Sequence, residues 1–136
     1  MFEFDESPPT PQEYNRLREL AGWGTYDVSS AETGLCNSLF TISLRERGEL
    51  VAFGRVVGDK RITFYIQDVI VVPERRGLGY AKAVMDRIMN YIRSMAASGA
   101  VVGLMSAGGV ERLYEPYGFV RRPAGKLGAG MTLPAD

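Results

Sequence analysis

Ile66-Gln67-Asp68-Val69-Ile70-Val71-Val72-Pro73-Glu74-Arg75-Arg76-Gly77-Leu78-Gly79-Tyr80-Ala81-Lys82 reads as a strand, a glycine-rich turn and the first turn of a helix. Val69 to Val72 is a β-branched run without helical period, which suits a strand. Pro73 ends it, because proline has no ladder donor. From Leu78 the period changes: Leu78, Ala81, Val84, Met85, Ile88, Met89 and Ile92 recur at three and four, an amphipathic helix of about four turns. A helix N-terminus carries amides without internal partners and partial positive charge. Glycines there allow an anion to approach the backbone, and Arg75 and Arg76 add fixed charge. The stretch therefore reads either as a diphosphate cradle or as a tight connection with two solvated arginines. A dinucleotide fingerprint is excluded, because the position three after Gly79 is Lys82, and a P-loop is excluded, because no Gly-Lys-Ser/Thr follows.

The chain before this stretch divides into short elements. Phe2 and Phe4 alternate with acids, as in an edge strand. Thr10, Pro11 and Glu13 make a capping box with proline in the first turn, opening a helix that runs to about Ala21. A loop follows with Trp23 and Tyr26, which either wall a substrate pocket or plug the helix onto a sheet. Ser29 or Ser30 opens a second helix through Leu39. Residues 40–44 and 50–57 form a hairpin, and 62–72 is a long third strand. After the central helix, 101–105 is expected as a buried strand that pairs parallel with 62–72 at the sheet centre by a right-handed crossover. A last helix is expected over 108–114, and a final hairpin pairs 119–120 with 131–133.

Composition limits the chemistry. The 136 residues carry 16 basic and 16 acidic side chains, so no general affinity for nucleic acid or an anionic membrane is expected. No apolar run approaches membrane-spanning length, and the acidic start does not read as a signal peptide. Cys36 is the sole cysteine, which fits a reduced, cytoplasmic setting. The absence of histidine excludes Ser-His-Asp and Cys-His mechanisms and the usual zinc sites, so no metal is expected. Asp68 is a candidate general base. On strict alternation it shares a face with Ile62, Phe64, Ile66, Ile70 and Val72, where desolvation raises a carboxyl pKa. The alternative is a structural carboxylate held by amides or an arginine.

Arg76-Gly77-Leu78-Gly79-Tyr80-Ala81 resembles the Gln/Arg-x-x-Gly-x-Gly/Ala signature of the GNAT family of N-acetyltransferases. Leu113-Tyr114-Glu115-Pro116-Tyr117-Gly118-Phe119 resembles that family's Tyr-x-x-x-Gly-Phe segment, and the two lie in the family's order. The resemblance implies one mixed α/β (α+β) domain over residues 1–136. Its central sheet would have six to seven strands, flanked by about four helices, with acetyl-CoA between two splayed parallel strands. It further implies main-chain contacts to acetyl-CoA from Ile70, Val71 and Val72, and a diphosphate site over Arg75, Arg76, Gly77, Leu78, Gly79, Tyr80 and Ala81. Tyr114 would be the general acid, and a primary amine of a small molecule or peptide the acceptor, with Trp23 and Tyr26 beside it. The family's bulge in this strand bears on the face assigned to Asp68. Many relatives also carry a cofactor-contacting asparagine where this chain has Ala107, so that contact is not carried over. The competing function is a non-catalytic acetyl-CoA sensor. The oligomeric state is open, a homodimer included.

Overall fold

Thr10 opens the first helix as its sequence predicts. Its hydroxyl accepts from the Glu13 amide (3.1 Å), and the Glu13 carboxylate accepts from the Thr10 amide (2.9 Å). The structure, a computed structural model, describes residues 1–135. It divides into two compact units, Met1–Leu104 and the chain from Met105 onward.

In chain order the first unit contains β1 (Glu3–Asp5), α1 (Pro11–Leu20), α2 (Val28–Cys36), β2 (Phe40–Glu46), β3 (Glu49–Gly58), β4 (Thr63–Val71), α3 (Tyr80–Met95) and β5 (Val101–Leu104). The strands form one sheet in the order β1-β2-β3-β4-β5. The first three pairings are antiparallel and β4–β5 is parallel. This is the expected mixed architecture with five strands rather than six or seven. Asp27, not Ser29 or Ser30, caps α2: its carboxylate accepts from the Ser30 amide at 3.0 Å.

The sheet buries both faces. Gly54 lets α3 approach one of them, since a Cβ there would lie 2.7 Å from Val84 Cγ1 and 2.8 Å from Ile88 Cδ1. On the opposite face the Tyr14 ring of α1 meets Phe53 edge-on, with centroids 5.9 Å apart. Val84, Met85, Ile88, Met89 and Ile92 form the buried stripe of α3, as their spacing predicts. Leu78 does not belong to it: α3 begins at Tyr80, and Leu78 is 63% exposed in the preceding turn.

The alternation expected along β4 fails at one point. Phe53 pairs with Ile70 and Arg55 with Gln67, so Gly54 alone faces Asp68 and Val69. That is a β-bulge, and Asp68 takes the left-handed conformation at φ 60°. Before the bulge, Ile66 pairs with Val56 and shares the α3 face with Gly54. After it, Ile70 pairs with Phe53 on the α1 face. Asp68 is therefore not on one face with Phe64 and Ile66.

In the second unit the expected helix over 108–114 is replaced by two 3₁₀ turns, Glu111–Leu113 and Glu115–Tyr117. The expected final hairpin is not formed. An isolated bridge joins Ala124 to Leu127, while Val120, Met131 and Leu133 are exposed.

Candidate active site

β4 and β5 pair only from Thr63–Val101 to Ile66–Leu104. Beyond Ile66, β4 continues to Val71 with one edge outside any described strand pairing, and the bulge at Asp68 lies just where that edge begins. Among Ile70, Val71 and Val72, the Val72 amide donates to the Val51 carbonyl (2.9 Å). It is therefore committed to β3. Strand alternation turns the peptide groups of Val71 the other way, to the open edge. The Val71 carbonyl there accepts from Arg76 Nε at 3.2 Å.

The open edge leads through the Pro73–Arg75 3₁₀ turn to the mouth of α3. Gly77 and Gly79 hold left-handed conformations (φ 75° and 87°), and no atom lies within 4 Å of where either Cβ would stand. The space is open, and the conformation is one that L side chains rarely adopt. Gly79 caps the helix without a side-chain hydrogen bond, and the first turn has no acidic residue. The early amides of a helix this long, together with its dipole, favour an anion.

The two arginines of the turn differ. Arg75 makes a bidentate pair with Glu46 of β2 (2.8 Å to each oxygen), and Tyr80 donates a very short hydrogen bond to the same carboxylate. Arg75 and then Tyr80 hold the Glu46 carboxyl down at about 2, so the clamp is ionised at neutral pH. Arg75 is thus not the spare positive charge that the sequence suggests, and the Tyr80 hydroxyl is engaged in fixing the turn. Arg76 is exposed and has no carboxylate partner among the described residues.

Asp68, the candidate base, has a fully buried side chain (0% exposed). Its Oδ2 accepts from Tyr14 Oη (2.6 Å) and Arg55 Nε (2.9 Å), and its Oδ1 from Arg18 Nη1 (3.0 Å) and Gln67 Nε2 (3.5 Å). Burial first, then the Asp68 contact, pushes the Tyr14 hydroxyl up to about 12, so it remains a donor. This carboxylate matches the structural alternative, with two arginines rather than one. Tyr14, Arg18 and Arg55 were not singled out from the sequence. Arg55 sits among apolar neighbours in a strand, and Tyr14 and Arg18 stand four apart on one helix, which is the signal that was available.

Trp23 and Tyr26 are not core plugs, being 40% and 52% exposed. They flank the Arg18 guanidinium, whose carbon lies 5.7 Å from the Trp23 ring and 4.7 Å from the Tyr26 ring. Asn15 pins Tyr26 by two hydrogen bonds, donating to its carbonyl (2.8 Å) and accepting from its amide (3.0 Å). Tyr26 then walls a pocket of about 150 Å³, also lined by Tyr14, Ser30, Ala31, Gly34, Leu35 and Arg55. Trp23 does not line it.

In the second unit, Tyr114 is buried between the two 3₁₀ turns. Gly118 turns the chain at φ 98°, which brings Phe119 edge-on to the Tyr114 ring at 6.3 Å. Burial raises the Tyr114 pKa, and its hydroxyl has no hydrogen-bond partner among the described residues. The phenol is therefore protonated and free to donate.

Comparison with known proteins names the family. The model of the acetyltransferase (GNAT) family matches residues 3–119, and the chain belongs to that family. The uncharacterised N-acetyltransferase ycf52 of Pyropia yezoensis is 28% identical over 120 residues, covering 85% of this chain and 68% of the relative. The crystal structure of a meticillin-resistant Staphylococcus aureus protein, described as a probable acetyltransferase, superposes with a TM-score of 0.93 at 31% identity. It covers 99% of this chain and 100% of that one. A Clostridium acetobutylicum protein described as a predicted acetyltransferase and solved with acetyl-CoA shares the fold, with a TM-score of 0.67 at 16% identity over 90% and 92% of the chains.

Proposed function

We propose that this chain transfers an acetyl group from acetyl-CoA directly to a primary amine of a small molecule or peptide. The observation that carries the reading is the open edge of β4 running into a glycine-bounded helix mouth that has no side-chain cap. When bound, acetyl-CoA supplies an activated thioester. The amine nitrogen bonds the carbonyl carbon, the C–S bond breaks, and the sulfur leaves as a thiolate that takes up a proton.

Main-chain groups of Val71 would hold the thioester end, and the amides from Gly77 to Ala81 with Arg76 the diphosphate. Tyr114 would give the proton. Asp68 would act as a positioning residue that fixes Tyr14 and Arg55 in the lining of the acceptor pocket, leaving water to accept the amine proton. Tyr26 walls that pocket. The lone cysteine suits a reducing compartment such as the cytoplasm. Among the described residues no helix is long and apolar enough to cross a membrane.

The decisive experiment follows thiol release from acetyl-CoA over a panel of primary amines. Amine-dependent release supports the enzyme. Tight acetyl-CoA binding without release from any amine favours the sensor reading. The cradle has its own test. Arg76→Ala removes a charge-assisted contact, so acetyl-CoA affinity by calorimetry is expected to fall about tenfold to a hundredfold with an unchanged melting temperature. Arg75→Ala removes a charge already matched by Glu46 and is expected to weaken binding less.

A further inference from the structure

The charge network behind the acceptor pocket, which reaches it through Tyr14 and Arg55, has more positive charge than its carboxylate can match. Arg18 and Arg55 both pair with Asp68, and no second carboxylate pairs with either guanidinium among the described residues. Tyr14 and Gln67, the remaining partners, are neutral. Two cations facing one anion leave a surplus of one charge, largely out of water, since the two arginine side chains are 11% and 17% exposed. Such a surplus favours an anion wherever a guanidinium nitrogen reaches the pocket.

Arg18 is saturated. Beyond Asp68 it donates to the Gly24 carbonyl (3.0 Å) and the Trp23 carbonyl (3.2 Å), and aromatic rings surround it. Arg55 is not. Nε serves Asp68, and Nη1 serves the Gly34 carbonyl (3.3 Å) and Ser38 Oγ (3.2 Å). Nη2 has no hydrogen-bond partner among the described residues, and Arg55 lines the pocket. Asp27, the cap of α2, spends its carboxylate on the Ser30 amide and hydroxyl, and Glu32, the acid within α2, is exposed and pairs with neither guanidinium.

The geometry points to an acceptor that bears an anionic group beside its amine, with that group received by Arg55 and the adjoining apolar part packed against Tyr26. This rests on the transferase reading above and adds the class of acceptor. A pocket near 150 Å³ encloses a group of about the size of benzene, which suits an anion on a small molecule or a short side chain. The same positive potential disfavours an ammonium ion. It would keep the acceptor amine neutral for attack and select against di- and polyamines.

The test separates binding from transfer. Calorimetry on the full chain compares 3-phenylpropionate and phenyl phosphate with the neutral 3-phenylpropanamide. At least one anion is expected to bind about tenfold more tightly than the amide, the gain of a charge-assisted contact, and the stronger of the two names the group. Ser30→Asp adds a carboxylate at the pocket lip, in the first turn of α2, where an acid favours the helix. It also removes the Ser30 hydroxyl's bond to Asp27 (2.7 Å) and sets a like charge beside that cap, so a lowered melting temperature is expected together with loss of the preference. In the transfer assay, phenylalanine is expected to exceed phenethylamine about tenfold in kcat/KM if the group is a carboxylate. Equal binding of all three compounds, or a preference that survives Ser30→Asp, would overturn the inference. Anion binding without transfer to any amine would sink the transferase reading and leave the anion site standing.

Discussion

Asp68→Asn is expected to lower the folding stability by about 3–5 kcal/mol, the cost of removing one partner from a buried charge network. The substitution keeps the shape and one carbonyl oxygen but leaves Arg18 and Arg55 without a counter-charge. Backbone strain does not confuse the result. Asp68 sits at φ 60°, and asparagine tolerates that conformation as well as aspartate. Chemical denaturation at neutral pH reads the effect, and a variant as stable as the parent would remove Asp68 from the centre of the packing. The same protein decides the chemical role. At a temperature where Asp68→Asn remains folded, the acidic limb of its pH–rate profile is expected to lie where the parent's does. A limb that disappears would make Asp68 a proton acceptor in the reaction.

The pattern of success and failure in reading the chain follows the range of the interactions. The capping box at Thr10 is contained in four residues, and its two hydrogen bonds form as spaced. The stripe of α3 is periodic over its own length and buries as expected from Val84 onward. The glycines before Tyr80 are left-handed, as a close backbone approach needs. What was not legible depends on distant partners. The bulge at Asp68 exists because Gly54, fourteen positions earlier by number, faces two residues, and nothing local to Asp68 marks it. Arg75 looks free until Glu46, at the end of β2, folds beside it. Trp23 and Tyr26 have the composition of a core plug, yet the loop wraps them around Arg18 and leaves them half open. The missing last helix has a local cause. Pro116 disfavours the helical conformation at the residue before it, and Gly108 and Gly109 supply no cap side chain, so two 3₁₀ turns take its place.

Tyr114→Phe tests the other half of the chemistry and is expected to reduce turnover by about 10²-fold, the lower end of what general acid catalysis contributes. The lower end applies because a thiolate is already a fair leaving group. Three observations motivate the role. The ring is buried, burial raises the phenol's pKa, and its hydroxyl has no partner among the described residues. A group with a raised pKa holds its proton at neutral pH, as an acid that protonates a departing thiolate must. Phenylalanine keeps the edge-on contact with Phe119, so the turn at Gly118 and the melting temperature should hardly change. Acetyl-CoA affinity should also persist, which separates lost chemistry from lost binding. The measurement is kcat under conditions where added viscogen has no effect, so that chemistry rather than product release is read. Full turnover by Tyr114→Phe under those conditions would mean that the thiolate leaves unprotonated or takes its proton from water.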